Sequence, residues 1–166
     1  MKDNILIVDE VSMMSKKVFE IIEQVARTVK KNNLPFGGMQ VIFSGDFCQL
    51  PPIETVGERD TSKFCFESEL WNTVFELENN IILKKIFRQK DKSYTNILQN
   101  IRNGVITKKN YELLKTCLDK EFDEKKHNGC IPTKLFPLRA KADYVNKIMY
   151  SNLEGNDICF EVDVKK

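Results

Sequence analysis

Two neighbouring carboxylates, Asp9 and Glu10, come directly after a short apolar run from Ile5 to Val8. A carboxylate at the end of a rigid strand is suited to hold a hydrated Mg²⁺, and a second one beside it is suited to assist an attacking water. The pair therefore predicts nucleoside triphosphatase chemistry, with Asp9 near the metal, through water, and Glu10 as the catalytic residue. Acids also follow strands in other α/β proteins, so the pair by itself leaves that alternative open.

A second polar stretch, Gly45-Asp46-Phe47-Cys48-Gln49-Leu50-Pro51-Pro52, follows another apolar run that ends at Ser44. Loops after neighbouring parallel strands converge on one edge of the sheet, so this stretch is expected beside the first pair of acids. The Gln49 amide can bond both a phosphate oxygen and a water, which suits it to sense a γ-phosphate. A tight turn with a capping Asp46 would leave Gln49 and the prolines unexplained.

Arg88 follows a third apolar run, Ile81 to Leu83. Its planar guanidinium suits phosphate oxygens and could neutralise charge that develops on a transferred phosphoryl group. A single arginine after a strand is more often a surface or salt-bridge residue. The catalytic assignment of Arg88 therefore depends on the two stretches described above.

Three side chains are candidates for contact with nucleic acid. Phe47 lies beside Gln49 in sequence and could touch a strand of DNA. Arg59 and Lys63, in a polar segment, could meet phosphates, although a solvated face is the more frequent role of such residues. Trp71 is expected in the core instead, and His127, in a charged loop, is expected to be solvated.

The apolar runs and helical patterns predict a parallel α/β architecture. The run from Ile5 to Val8 does not alternate, as in a strand that is buried on both faces of a parallel sheet. Ser15 can cap a helix that ends near Lys31, and a second strand from Met39 to Ser44 completes a strand-helix-strand unit. The apolar positions that recur at helical spacing are Val18, Ile22, Val25 and Val29.

Further strands and amphipathic helices are predicted downstream in two groups. The charged segment from Glu121 to Gly129 separates the groups and is the best candidate for a domain boundary. The elements predicted before it are a short helix around Trp71, a strand at Ile81 to Leu83, a helix that stops at Gly104 and a helix that starts at Thr107. Those predicted after it are a strand at 134–138, a helix at 142–153 and a strand at 158–164.

Length and composition narrow the classes of protein. The 166 residues suffice for one ordinary domain, and the 26 basic and 24 acidic side chains nearly cancel, so bulk charge does not indicate a nucleic-acid binder. Five scattered cysteines without a C-x-x-C pair argue against a disulfide framework and a zinc site, and favour an intracellular compartment. No run approaches the roughly 20 apolar residues that cross a bilayer, so a soluble protein without a membrane partner is expected.

Four motifs follow one another along the chain: L-I-V-D-E-V-S-M-M, P-F-G-G-M-Q-V-I-F-S-G-D-F-C-Q-L-P-P-I, F-C-F-E-S-E-L-W, and F-R-Q-K-D with a following I-R-N-G. In this order they resemble the petite-integration-frequency (Pif) family of superfamily 1 DNA helicases. The resemblance covers about residues 5–104, and it continues less distinctly through L-F-P-L-R-A-K-A-D-Y-V-N. Several separated motifs in the family's order are far more specific than any one of them.

The resemblance implies an ATP- and Mg²⁺-dependent motor that moves 5′ to 3′ on single-stranded DNA, with two RecA-like domains around the nucleotide. It implies that Asp9 and Glu10 form motif II, that Gln49 of motif III lies near the γ-phosphate, and that Arg88 is the motif IV arginine. All four side chains would then face ATP. It also implies a small insert at about residues 54–66 and, in a eukaryote, a place in the nucleus or mitochondrion, in DNA repair, recombination or telomere maintenance.

The family's phosphate loop, G-x-x-x-x-G-K-[ST], does not occur in the 166 residues. We therefore expect a partial RecA-like fold that lacks the phosphate-loop strand and helix, and negligible ATPase activity for this chain alone. Residues 1–120 would be the C-terminal part of the first RecA-like domain and 130–166 the beginning of the second. An upstream chain is one source for the missing loop.

Two other functions stay open. One is a non-catalytic DNA-binding or regulatory remnant of a helicase, which the retention of all four candidate site residues disfavours. The other is a different P-loop ATPase of DNA repair or recombination. The stretch from Gly45 to Pro52 and the residues Phe87-Arg88-Gln89 argue against that second alternative.

Overall fold

The computed structural model describes residues 5–118, 132–155, 158 and 160. The chain divides into two units, Met1–Tyr111 and Glu112–Lys166. The domain boundary predicted at 121–129, together with His127, lies outside the described residues, and so does most of the strand predicted at 158–164. The division into RecA-like domains at residues 120 to 130 therefore stays a prediction.

A strand-helix-strand unit begins the first unit, as the sequence predicts. Strand β1 (Ile5–Val8) pairs in parallel with β2 (Gln40–Phe43), with Ile5 opposite Gln40 and Val8 opposite Phe43. The α-helices are α1 (Lys16–Lys30), α2 (Trp71–Val74), α3 (Lys92–Arg102), α4 (Lys108–Lys115) and α5 (Arg139–Ser151). Short 3-10 helices lie at Val11–Met13, Pro35–Gly38, Cys65–Glu67 and Leu77–Asn79.

Local sequence signals set the ends of α1. The Ser15 hydroxyl accepts a hydrogen bond from the N–H of Val18 at 3.2 Å, and thereby satisfies one of the free donors of the first turn. Lys31 adopts a left-handed conformation (φ 50°) and stops the helix. The predicted beginning and end of this helix are therefore confirmed.

One face of the sheet is covered and the other is not. Leu6, Val8, Val41 and Phe43 pack against the core. On the opposite face the side chains of Ile5, Ile7 and Ile42 are 55%, 67% and 45% exposed. The prediction that the first strand is buried on both faces is therefore wrong for the described residues, because helix and loops cover one side only.

Aromatic rings fill the covered side of the sheet. Phe19 and Phe36 are fully buried, and their ring centroids lie 5.8 Å apart. The ring centroids of Trp71 and Phe19 lie 5.6 Å apart, and those of Phe75 and Phe43 lie 4.9 Å apart. Trp71 thus belongs to the core, as predicted, and is not an exposed platform for bases.

The buried face of α1 differs from the stripe of apolar residues that the sequence places at helical spacing. Phe19, Glu23 and Ala26 are buried. The carboxylate of Glu23 accepts the N–H of Phe36 at 3.3 Å and lies 2.8 Å from the guanidinium of Arg27, so a charged residue holds the loop after α1 in place. The stripe residues that remain exposed are Val18, Val25 and Val29.

Two of the predicted strands do not form. Ile81, Ile82 and Leu83 are 84%, 80% and 90% exposed and belong to no strand, and the segment 134–138 is likewise not a strand. A strand needs a neighbour for its backbone N–H and C=O groups, and neither segment has one among the described residues. The helices predicted on either side are confirmed as α3, α4 and α5. In the described part of the chain, no helix has the length and apolar content to span a membrane.

Candidate functional site

Asp9 and Glu10 form a strained turn at the carboxyl end of β1. Both are exposed, and Glu10 has a left-handed backbone (φ 53°, ψ 42°), which is uncommon for a residue with a side chain. Oδ1 of Asp9 accepts the N–H of Glu10 at 3.0 Å. The other oxygen of Asp9 stays available, because this carboxylate makes no other hydrogen bond within the described ranges.

The loop after β2 is bonded directly to this turn. The N–H of Ser44 donates to the carbonyl of Val8 at 2.8 Å, and the N–H of Val11 donates to the carbonyl of Ser44 at 3.1 Å. Gly45 makes the close approach possible, since a Cβ there would lie 2.8 Å from the backbone nitrogen of Val11. The prediction that the two stretches lie side by side is confirmed.

Asp46 organises the second loop and holds Gln49. Its carbonyl accepts the N–H of Gln49 at 2.9 Å, and its Oδ1 accepts the N–H of Cys48 at 3.0 Å. Its Oδ2 accepts Nε2 of Gln49 at 3.3 Å and forms an ion pair with Nη1 of Arg102. The Gln49 side chain is therefore bonded to a carboxylate in the loop beside the Asp9-Glu10 turn.

Arg102 influences the pKa of Asp46 chiefly through its hydrogen bond to that carboxylate. Its guanidinium holds the pKa of the Asp46 carboxyl below its ordinary value, partial burial opposes this, and the bonds from Cys48 and Gln49 add to the lowering. Reciprocally, Asp46 raises the pKa of Arg102. The sequence interpretation gave Arg102 no role, and the only signal for it was the I-R-N-G motif at the end of α3.

Arg88 is not brought to the other candidate residues. It is exposed, and within the described residues its guanidinium makes no hydrogen bond or ion pair. Among the described residues, the segment that precedes Arg88 is not paired into the sheet, so no strand carries Arg88 to the edge where Asp9 and Gln49 follow β1 and β2. Its neighbour Phe87 lies under the ammonium of Lys85, at 4.7 Å from the ring centroid.

Phe47 belongs to an aromatic cluster that the sequence did not reveal. Its ring meets Phe66 edge-on at 4.8 Å and Phe64 at 5.8 Å, and Phe64 stacks on Phe66 at 5.0 Å. Phe47 is 36% and Phe66 is 41% exposed. A patch of ring surface therefore lies next to Gln49.

The predicted insert at about 54–66 is attached to the start of α1. The carbonyl of Lys63 accepts the N–H of Lys16 at 2.9 Å, and the carbonyl of Asp60 accepts the N–H of Lys17 at 3.3 Å, which satisfies free donors of the first turn. Arg59 is exposed. The ammonium of Lys63 pairs with Asp60 at 2.7 Å, and this contact raises the pKa of Lys63.

The carboxylates fit a hydrated Mg²⁺. Asp9 is exposed and has one oxygen free of protein bonds, which suits a cation that keeps several of its waters. Among the described residues no group of three or more histidine, cysteine, aspartate or glutamate side chains is placed to hold a metal. Water and phosphate oxygens would therefore have to supply most of the other ligands.

The model of the PIF1-like helicase family matches residues 1–112. The chain belongs to the PIF1-like helicase family. This membership agrees with the four motifs, and it excludes an origin in a different class of P-loop ATPase. Together with the parallel pairing of β1 and β2, it identifies the α/β unit as part of a RecA-like fold.

Relatives of this PIF1-like chain are much longer than the chain. It is 38% identical to the ATP-dependent DNA helicase RRM3 of Saccharomyces cerevisiae over 152 residues, which are 92% of this chain and 20% of the relative. It is 34% identical to the ATP-dependent DNA helicase PIF1 of Emericella nidulans over 160 residues, 96% of this chain and 21% of the relative. The chain thus spans about a fifth of the length of these proteins.

Solved structures of Pif1 helicases share this fold. The Pif1 helicase of Candida albicans superimposes with a TM-score of 0.77 at 31% identity, over 92% of this chain and 33% of that chain. A Bacteroides Pif1 helicase in complex with ADP-AlF3 and single-stranded DNA gives a TM-score of 0.74 at 29% identity, over 93% of this chain and 37% of that chain.

Proposed function

We propose that the chain is part of an ATP-dependent DNA helicase that couples ATP hydrolysis to 5′-to-3′ movement on single-stranded DNA and to duplex unwinding. One observation carries the proposal: the backbone bond from Val11 to Ser44 places the Asp9-Glu10 turn beside the loop of Gln49. Relatives named as ATP-dependent DNA helicases, and a structural neighbour solved with ADP-AlF3 and single-stranded DNA, support it.

Each site residue has a proposed task. Asp9 holds a hydrated Mg²⁺, which when bound would offset phosphate charge, and Glu10 accepts the proton of the attacking water. Gln49 bonds a γ-phosphate oxygen through its amide. Arg88 neutralises charge on the transferred group, and its exposed guanidinium is free of competing ion pairs in the part of the chain that the structure describes.

The phosphate-binding loop is proposed to come from a polypeptide segment outside the 166 residues. No G-x-x-x-x-G-K-[ST] sequence is present, and parallel sheets are ordinarily covered on both faces. The exposed side chains of Ile5, Ile7 and Ile42 form an apolar sheet face that such a segment can cover. An upstream chain or an upstream part of the same polypeptide would meet this need.

Single-stranded DNA is the proposed partner of the aromatic cluster. Phe47 presents ring surface beside the ATP-facing loop, where base stacking would couple DNA to the nucleotide site. Arg59 and Lys63 are proposed to contact phosphates, although Lys63 must first exchange its bond to Asp60. In a eukaryote the nucleus or the mitochondrion is the proposed location.

Reconstitution tests the proposal. The polypeptide encoded immediately upstream of Met1 is joined in frame to the 166-residue chain, and hydrolysis of ATP is measured with and without single-stranded DNA. We expect DNA-stimulated hydrolysis that Glu10→Gln lowers at least about a thousandfold, and none from the chain alone. Full activity of the Glu10→Gln variant would show that the assigned site is wrong. DNA binding without hydrolysis in the joined protein would favour a regulatory remnant.

A further inference from the structure

An ion pair connects helix α3 to the loop of Asp46 and Gln49. Nη1 of Arg102, in the last turn of α3, contacts Oδ2 of Asp46, and Nε2 of Gln49 donates to that same oxygen at 3.3 Å. Both contacts are exposed to solvent, and the Arg102 and Asp46 side chains are 43% and 23% exposed. Asp46 therefore joins α3 to the amide that is proposed to sense the γ-phosphate.

Charge decides how Gln49 sits. A carboxylate only accepts hydrogen bonds, so the nitrogen side of the Gln49 amide must face Asp46 and its carbonyl must point away. The bond to Arg102 joins two full charges, whereas the bond from Gln49 is long and neutral on the donor side. Arg102 is consequently the stronger partner of the Asp46 carboxylate. Gln49 is bound to Asp46 weakly enough to exchange that hydrogen bond for one to a phosphate oxygen.

We propose that Arg102 is a positioning residue that acts on Gln49 through Asp46 and so links helix α3 to the nucleotide-sensing loop. This proposal rests on the function proposed for Gln49. Helix α3 begins at Lys92, shortly after Arg88, so the same contact ties the segment of the motif IV arginine to motif III. A movement of that segment on nucleotide binding would reach Gln49 through one ion pair.

A surface ion pair without this role would behave differently. Exposed pairs contribute little to stability, and the loss of one is not expected to change the position of a neighbouring side chain or the rate of a reaction. The pair of Arg139 and Asp143 on α5, 3.5 Å apart and largely exposed, provides the matched control. Variants of the two arginines therefore separate positioning from ordinary surface pairing.

Nuclear magnetic resonance on the ¹⁵N-labelled 166-residue chain tests the resting geometry. The backbone amide of Cys48 reports the titration of Asp46 between about pH 2 and pH 6, and the side-chain amide signals of Gln49 report its position. We expect Arg102→Gln to raise the Asp46 midpoint and to shift the Gln49 signals, Arg102→Lys to give smaller changes, and Arg139→Gln to change neither. Unchanged Asp46 and Gln49 signals in Arg102→Gln would show that Arg102 positions nothing.

The joined protein described above tests the consequence for hydrolysis. We expect Arg102→Gln to lower kcat about tenfold with KM for ATP within about twofold, and Arg102→Lys to recover part of the loss. Asp46→Asn should have a similar effect, and the double variant should be no slower than either single variant, because both act on Gln49 by one route. Additive losses would show that Arg102 does not act through Asp46.

The outcomes distinguish this proposal from the proposed function. If Glu10→Gln abolishes hydrolysis while Arg102→Gln leaves kcat unchanged, the ATPase assignment stands and the positioning role is wrong. If Glu10→Gln has no effect, the ATPase assignment itself is wrong. Thermal unfolding of each variant, with a midpoint within about 3 °C of the parent, verifies that the fold is intact.

Discussion

The backbone N–H of Val11 donates to the carbonyl of Ser44 over 3.1 Å, and this bond joins the loop of Glu10 to the loop of Gln49. The two loops are far apart in sequence and share one edge of the sheet because β1 and β2 are neighbours. The proposed proton acceptor and the proposed phosphate-sensing amide are therefore carried on two loops that are bonded to each other. A substitution that disturbs this bond should therefore affect both loops.

Gly45→Ala should weaken the contact between these two loops. The added Cβ would lie 2.8 Å from the nitrogen of Val11 and 2.9 Å from its Cγ1, and backbone at this distance must shift. We expect a loss of about 1–3 kcal/mol of stability and faster hydrogen exchange at the amides of Val11 and Ser44. The control is Gly57→Ala, where nothing lies within 4 Å of the new atom. Gly57 has a positive φ of 84°, so this variant should also lose stability through backbone strain, but it should leave the contact between Val11 and Ser44 intact. Equal protection of the Val11 amide in both variants would contradict the close approach.

Glu10→Gly should stabilise the chain while it removes the proposed proton acceptor. Glycine adopts the left-handed backbone (φ 53°) without the strain that a side chain brings, so we expect a gain of about 1 kcal/mol in urea unfolding. Lys31→Gly is the matched control, because Lys31 is also left-handed (φ 50°) but ends a helix away from the site. Both variants should gain stability, and only Glu10→Gly should abolish hydrolysis in the joined protein. A loss of stability in both would contradict the strain.

Cys65 should be unreactive in the native protein. It is fully buried, and burial raises the pKa of its thiol to about 11, whereas Cys48 is exposed. At pH 8 we expect iodoacetamide to label Cys48 and to reach Cys65 only after unfolding, as mass spectrometry would show. Rapid labelling of Cys65 in the native state would contradict its burial.

The same thiol should make stability fall in alkaline solution. The folded pKa lies above the ordinary value of 9.0, so the folded state retains the proton more tightly. The resulting stability is complete below pH 9 and is lost as the pH rises toward about 11, on the order of 2 kcal/mol. Urea unfolding between these values should show the decline, and Cys65→Ala should lack this part of it. Parallel curves for the two proteins would contradict the expectation.

Phe47→Ala should weaken binding of single-stranded DNA by the joined protein. Loss of one stacking surface is worth about 1–3 kcal/mol, so we expect roughly a tenfold weaker affinity for an oligothymidine in fluorescence anisotropy. Tyr94→Ala is the control, because Tyr94 is an aromatic residue of comparable exposure (43%) on α3. Equal affinities of the two variants would remove Phe47 from the DNA interface.

Much of the local structure followed from the sequence because short-range interactions specify it. The hydroxyl of Ser15 and the left-handed Lys31 bound α1, and Gly104, with a positive φ of 70°, follows the end of α3. The two polar stretches after the strands were likewise recognisable, since the carboxyl ends of parallel neighbours meet at one edge. Asp9, Glu10 and Gln49 were predicted as site residues in this way.

Tertiary contacts decided which helix face is buried, which apolar runs form strands and which side chains pair. These contacts join residues that are distant in sequence, and no periodic pattern of the sequence reveals them. The buried side of α1 is the one that meets the aromatic core, with Glu23 bonded to the backbone of Phe36 and the valine stripe left in solvent. The apolar run Ile81 to Leu83 has the composition of a strand, yet a strand exists only where a neighbour pairs with it. The ion pair of Arg102 with Asp46 was beyond sequence reasoning for the same cause. Composition and spacing selected the chemistry of the site, and the packing of distant segments determined which side chains reach it.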